Sequence, residues 1–152
     1  MIQGPLAAFL QEGVGIHLAT RTAALEPNGT RALAVKVEDD GRHLVVYVAQ
    51  AASARIVGDL HDNGQAAVSF GRPVDDKACQ VKGVFVSLRD ASDEERPFIA
   101  AQWDGFLAKL EQIGIPRAAT RAWITWPVVA IRLRVNALFE QTPGPGAGAP
   151  MA

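Results

Sequence analysis

Lys77-Ala-Cys-Gln-Val-Lys-Gly-Val-Phe-Val-Ser-Leu88 alternates with a period of two and carries almost no helical signal. Read as one strand, it sends Lys77, Cys79, Val81, Gly83, Phe85 and Ser87 to one face and Ala78, Gln80, Lys82, Val84, Val86 and Leu88 to the other. The first set makes a core face. The second sets an amide and an ammonium among aliphatic side chains, which suits a polar ligand lying on a sheet or a buried subunit interface. Gly83, in mid-strand, predicts a bulge or the close approach of another backbone.

Upstream of this strand, Ala66–Phe70 reads as a short apolar strand, and Arg72-Pro-Val-Asp-Asp76 as the connecting loop. Three further strands are expected at Val14–Thr20, Thr30–Glu38 and Arg42–Ala49. Asn28-Gly29 and Asp40-Gly41 accept positive φ and predict the hairpin turns between them. Such tight connections imply an antiparallel meander rather than a parallel α/β sheet. Gly4–Gln11, with Pro5 near its start, reads as a short opening helix. In Ala51–His61 the period lengthens, and Ala52, Ile56, Val57 and Leu60 share a helical face that Asn63-Gly64 brings to a stop.

Downstream, Asp90–Gly114 reads as a helix opened by a Ser92/Glu95 capping box, with Phe98, Trp103, Phe106, Leu107, Leu110 and Ile113 on its apolar face. Residues 115–127 follow no clear period and hold Trp123 and Trp126. Val128–Phe139 returns to strand alternation. Residues 141–152, rich in Pro and Gly, predict an extended arm or a segment without fixed structure, beyond a single domain at residues 1–140. Six strands, mainly antiparallel, with helices inserted at two points, imply a mainly β protein: a small barrel or bent sheet with helices over its open ends.

At 152 residues the chain is long enough to bury a real core in one domain. A net charge of -1, with no block of either sign, offers no stripe for nucleic acid and no polybasic segment for a membrane surface. Neither a signal peptide nor a membrane-spanning segment is expected. The single cysteine, Cys79, has no intramolecular partner and points to a reducing, cytoplasmic setting. It alternates with Val81 and Phe85 and reads as core. His17, His43 and His61 share no local motif, so no metal site is predicted.

The polar candidates gather on the strands. Arg31 and Lys36 interrupt an apolar strand, and Gln80 and Lys82 another; donors and positive charge together suit a phosphate-like anion. An offset of five puts Arg31 and Lys36 on opposite faces of an ideal strand, so a twist, a bulge or the strand end must bring them together. Ser53 at a helix start is either an ordinary cap or an anion donor assisted by Arg55. No Ser/His/Asp order, carboxylate pair or glycine-rich phosphate loop supports a hydrolase or a nucleoside triphosphate site.

Three segments, in this order, resemble the pyridoxamine 5'-phosphate oxidase-like, FMN-binding split-barrel superfamily. Arg31-Ala-Leu-Ala-Val-Lys36 is similar to its strand of arginine, four mainly apolar residues and lysine. Ser53-Ala-Arg55 is similar to its phosphate-binding turn, with Ala54 in place of the middle basic residue. Lys77-Ala-Cys-Gln-Val-Lys-Gly83 resembles its strand with a basic residue and a closing glycine, with Gln80 two residues beyond the usual glutamine. The resemblance covers nearly the whole chain and implies a six-stranded antiparallel split β-barrel with flanking helices. It also implies a homodimer with FMN at the subunit interface, bound by Arg31, Lys36, Ser53, Arg55, Lys77, Gln80 and Lys82, and flavin-dependent oxidoreductase activity on a small molecule. Established pyridoxamine phosphate oxidases end in a segment rich in Arg, His and Trp, whereas this chain ends in Pro and Gly, so the resemblance does not extend to vitamin B6 oxidation. A flavin carrier or sensor, a haem-binding module on the same barrel, and F420 as the working cofactor remain open alternatives.

Overall fold

The computed structural model describes residues 1–123 and 125–151; position 124 of the 115–127 stretch and Ala152 of the expected arm lie outside the described residues. Six strands form a closed antiparallel barrel: β1 (Gly15–Arg21), β2 (Pro27–Val37), β3 (His43–Ala49), β4 (Gln65–Gly71), β5 (Ala78–Asp90) and β6 (Val128–Glu140), in the spatial order β1-β2-β3-β6-β5-β4. The inner faces of all six strands supply one core, with Ile16, Leu18, Val35, Leu44, Val46, Val68, Phe70, Val81, Ile131 and Leu133 at its centre. Each side chain of this kind contributes roughly 1.5–3 kcal/mol on full burial.

Helices close the barrel ends and part of its wall. α1 (Gly4–Gln11) buries Phe9 and Leu10 at one end, and α2 (Ala54–Asn63) buries Ile56 and Leu60 at the other. α2 begins later than the apolar pattern implies because Gln50–Ala52 forms a 3-10 turn first; it ends, as expected, at Gly64, whose φ of 70° is left-handed. α3 (Arg96–Gln112) lies outside the barrel against β2, and a short α4 (Arg117–Thr120) follows. The Ser92/Glu95 capping box is formed. Glu95 also accepts two hydrogen bonds from Arg89, both 2.7 Å, and one from the Tyr47 hydroxyl, 2.7 Å, which ties the helix start to β5 and β3.

The first hairpin differs from expectation. The chain reverses at residues 22–26, where the Thr22 N–H donates to the Glu26 carbonyl (2.9 Å) and Leu25 takes a φ of 66°. Asn28 and Gly29 lie inside β2, opposite Thr20 and Ala19. The Asn28 amide is used elsewhere: with the Thr20 hydroxyl it donates to buried Asp59 of α2, both at 2.6 Å. The arm is extended only at its end. Residues 144–149 turn, and the chain returns to β6 through the Met151 N–H on the Leu138 carbonyl (2.8 Å) and a bridge between Phe139 and Pro150.

Bulges decide which way the side chains face. In β5 the register shifts between Phe85 and Ser87, leaving Val86 unpaired. Phe85 and Leu88 therefore both pack on the core, so the expected faces of Ser87 and Leu88 are exchanged. A second shift places Gly83 against β6, where a Cβ would come within 2.6 Å of the Arg134 carbonyl oxygen. That is the close backbone approach expected of this glycine. In β2 the shift falls at Leu33, between Ala32 and Ala34.

Candidate functional site

The β2 bulge resolves the parity of Arg31 and Lys36. Arg31 pairs with His17 on the outer face of the barrel, and Lys36 pairs with Val45, also on the outer face. Without the extra residue at Leu33 they would point to opposite sides. They share a face but not a place. Arg31 sits toward the barrel end capped by α2, whereas Lys36 lies near the β2–β3 turn, at the opposite end of its strand.

The outer wall has two contrasting parts. Over β2, β3 and β6, Leu33, Ala34, Val45, Tyr47, Val128 and Ala130 are buried beneath α3 and its approach, with Ile99, Phe98 and Trp103 packed on them. Gln102 of α3 is buried there and bonds Val35 of β2 beyond the last β1–β2 pair at Ile16 and Ala32, accepting from the Val35 N–H (3.1 Å) and donating to the Val35 carbonyl (2.8 Å). Over most of β1, β4 and β5 no described helix lies; α3 reaches only the start of β1, where Phe106 sits over Gly15. Register pairing lines up Arg31, His17, Ser69, Gln80 and Phe139 in one row across β2, β1, β4, β5 and β6. The adjacent row is Gly29, Ala19, Ala67, Lys82 and Ala137, and on the other side Gly15, Gly71 and Ala78 succeed one another.

Small residues thus floor an open trough with a polar line across its middle. Two grooves of about 450 and 420 Å³ flank that line, the first over Ala19, Ala67, Lys82 and Ala137, the second over Gly15, His17, Ser69 and Gly71. The Gln80 amide donates to the Ser69 hydroxyl at 3.3 Å, and the Lys82 ammonium lies 5.0 Å from the centre of the Phe139 ring. Burial and the neighbouring Arg31 charge lower the pKa of His17, favouring the neutral imidazole. Arg31 is half-buried and stacks on two rings, with Trp123 at 4.1 Å and Phe106 at 5.5 Å from their centres. Burial lowers its pKa.

The structure therefore brings Arg31, Gln80 and Lys82 onto one surface. Ser53 and Arg55 lie at the start of α2, reached from β3 at the end where Ala32 pairs with Val48. Ser53 is buried, and its hydroxyl (2.8 Å) and N–H (3.1 Å) both donate to the Gln50 carbonyl, so the turn expected to offer these donors to an anion is closed on itself. Arg55 is exposed. Lys77 is at the far end of the barrel, its ammonium 4.9 Å from the Phe9 ring centre. Sequence reasoning passed over Ser69, which sits in a short apolar strand, and Trp123, in a stretch without periodicity. The signal for Ser69 was its alternation with Ala67 opposite buried Val68 and Phe70.

Cys79 is buried, and its thiol is pushed up to about 12, chiefly by desolvation, which leaves it unreactive. Glu38, Asp40 and His43 do cluster at the β2–β3 turn, with ligand atoms within 4.8 Å of one another. Their oxygens are already committed: both Glu38 oxygens to Arg132 (2.8 and 2.7 Å), and Asp40 to His43 Nδ1 (2.6 Å) and to backbone N–H groups. No described helix is long and apolar enough to cross a membrane.

No protein-family model matches the chain, and no curated protein matches it. Solved structures do resemble it. An F420 reductase superposes with a TM-score of 0.59 at 18% identity, covering 90% of this chain and 97% of its own. A Lactobacillus delbrueckii protein assigned as a pyridoxamine 5'-phosphate oxidase gives 0.56 at 12% identity, over 90% and 93%. An FMN-binding protein from Syntrophomonas wolfei gives 0.54 at 10% identity, over 88% and 81%. At these identities the likeness is one of fold alone: the chain has the closed six-stranded antiparallel barrel with flanking helices on which these structures superpose.

Proposed function

We propose that the open trough over β1, β4 and β5 binds FMN, and that the protein is a flavin-dependent oxidoreductase acting on a small molecule. The observation that carries this reading is the row Arg31–His17–Ser69–Gln80 set on a floor of Gly and Ala. A flat ring needs a floor without protruding side chains, and Gly71, Ala19, Ala67 and Ala78 provide one, with Gly15 covered by Phe106 at its edge. Ring nitrogens and carbonyls need directional partners, which the Gln80 amide and Ser69 hydroxyl supply. A phosphate needs a guanidinium without a competing carboxylate, and Arg31 has none among the described residues. Likeness of fold to an FMN-binding protein and to an F420 reductase adds weight.

FMN bound there would supply the hydride or single-electron exchange. The protein's share is positioning: Arg31, with exposed Arg55 at the same end of β2 and β3, holds the phosphate, and Gln80 and Ser69 orient the ring. Lys82 brings a positive charge to where reduction leaves negative charge. The uncovered trough also suits a second copy of this chain, and we propose a homodimer closing over two flavins, one at each trough.

The test is titration of the purified protein with FMN, F420 and haem, each followed by absorbance and gel filtration. Saturable, micromolar or tighter FMN binding that Arg31→Ala weakens supports the reading. A Soret band that His17→Ala abolishes, with no flavin bound, replaces it with haem, since His17 is the histidine on this face.

A further inference from the structure

Among the described residues Arg31 is the arginine that lies over two aromatic rings, Trp123 and Phe106; Arg72 and Arg96 each lie over one, Phe9 at 5.6 Å and Trp126 at 4.7 Å. Arg72, Arg89, Arg117 and Arg132 each spend their donors on carboxylates at 2.6–3.0 Å. Arg31 is held instead by ring faces from two separate elements, Phe106 of α3 and Trp123 beyond α4. The Arg31 side chain makes no hydrogen bond or ion pair among the described residues, and a guanidinium carries five in-plane donors. A guanidinium stacked through its flat face keeps its edge free, and a side chain already fixed loses less rotamer freedom on gripping an anion.

The clamp is itself braced. Trp103 packs on both rings, 5.6 Å from Trp123 and 5.7 Å from Phe106. The segment before Trp123 is fastened to α3 by Arg117, which donates to Glu111 and Asp104, each at 3.0 Å. The Trp123 N–H donates to the carbonyl of Thr120, a buried residue, at 3.0 Å. Phe106 also lines the groove beside His17 and Ser69, so the aromatic pair stands at the edge of the trough.

From this geometry we infer that Trp123, backed by Phe106, is a positioning residue that presents the edge of Arg31 to the phosphate of a bound flavin mononucleotide. It thereby sets the preference for phosphorylated over unphosphorylated flavin. The inference rests on the FMN reading of the trough. Trp123 touches the arginine rather than the phosphate, so its effect must appear in that preference and leave binding of the ring alone nearly unchanged.

The experiment is parallel titration of FMN and riboflavin into wild type, Arg31→Ala, Trp123→Leu and Trp123→Phe, with circular dichroism to confirm folding. Leucine keeps apolar volume but removes the π face; phenylalanine restores a face. Trp123→Leu is expected to reduce the FMN-to-riboflavin affinity ratio about three- to thirtyfold, the range of a cation–π contact on a desolvated cation. Trp123→Phe should recover most of the ratio, and riboflavin affinity should move less than twofold throughout. An unchanged ratio in Trp123→Leu, while Arg31→Ala collapses it, overturns the clamp and spares the site. An unchanged ratio in Arg31→Ala, or a wild type that binds neither flavin, overturns both. Should Trp123→Leu fail to fold, Trp123→Phe and Phe106→Leu carry the same comparison, with smaller reductions expected and an unchanged ratio in both as the contrary result.

Discussion

The two halves of the barrel's outer wall obey the same strand alternation and have opposite fates. Over β2, β3 and β6 the outward positions hold Leu33, Val45, Tyr47 and Val128, and α3 buries them. Over β1, β4 and β5 the outward positions hold Ala19, Ala67, Ser69, His17, Gln80 and Lys82, and no described helix covers them beyond the edge where Phe106 sits over Gly15. Large apolar side chains recruit a covering element from the same chain; small and polar ones leave a surface for something else. The contrast is therefore one of packing: one wall is covered by the chain's own helix, and the other is left open for the binding proposed above.

The widest separation between the walls should appear in stability. Leu33 is 4% exposed, and Leu33→Ala is expected to cost about 2–5 kcal/mol in urea unfolding, whereas Ala67→Ser on the open wall should stay within about 0.5 kcal/mol. Equal costs would erase the distinction. Gln102→Leu comes next. It strands the N–H and carbonyl of Val35 beneath α3, and about 2–4 kcal/mol is expected by the same assay.

On the open wall the effect should move from folding to binding. Arg31→Ala is expected to weaken FMN by about 1.5–3 kcal/mol, read by titration, with little change in the unfolding midpoint. A large loss of stability with unchanged FMN affinity would assign Arg31 to the covered wall's role. The smallest effect is acid-dependent and belongs to the covered wall. Its bonds from Arg89, assisted by Tyr47, hold the Glu95 carboxyl at about 2, against an ordinary 4.5. Because the folded pKa is lowered, the contribution is complete above the ordinary value and disappears as pH falls toward 2. Arg89→Met should flatten the fall in Tm over that window, and an unchanged acid profile would remove Glu95 from the account.

Much of this was legible in the sequence, and the failures share a cause. Alternation located all six strands, and Gly83 announced its close contact with β6. Asn28-Gly29 misled because the Asn28 side chain answers to Asp59, a residue 31 positions away, rather than to a turn. Register shifts at Leu33 and Val86 reversed two facing assignments, and no local pattern marks them because each depends on the neighbouring strand. The candidate site was visible as Arg31, Gln80 and Lys82. Ser69 and His17 joined it only when β4 and β1 were laid side by side, and Trp123 only when the chain beyond α3 returned over β2. Ser53 read either as an ordinary cap or as an anion donor, and the 3-10 turn before α2 puts the Gln50 carbonyl within reach of its hydroxyl.

Flavin binding is read most simply from the visible spectrum of protein purified without added cofactor, repeated after incubation with FMN and gel filtration. Flavin absorbance should travel with the protein in wild type and be diminished in Arg31→Ala. Flavin that elutes apart from a folded, colourless protein would contradict this binding.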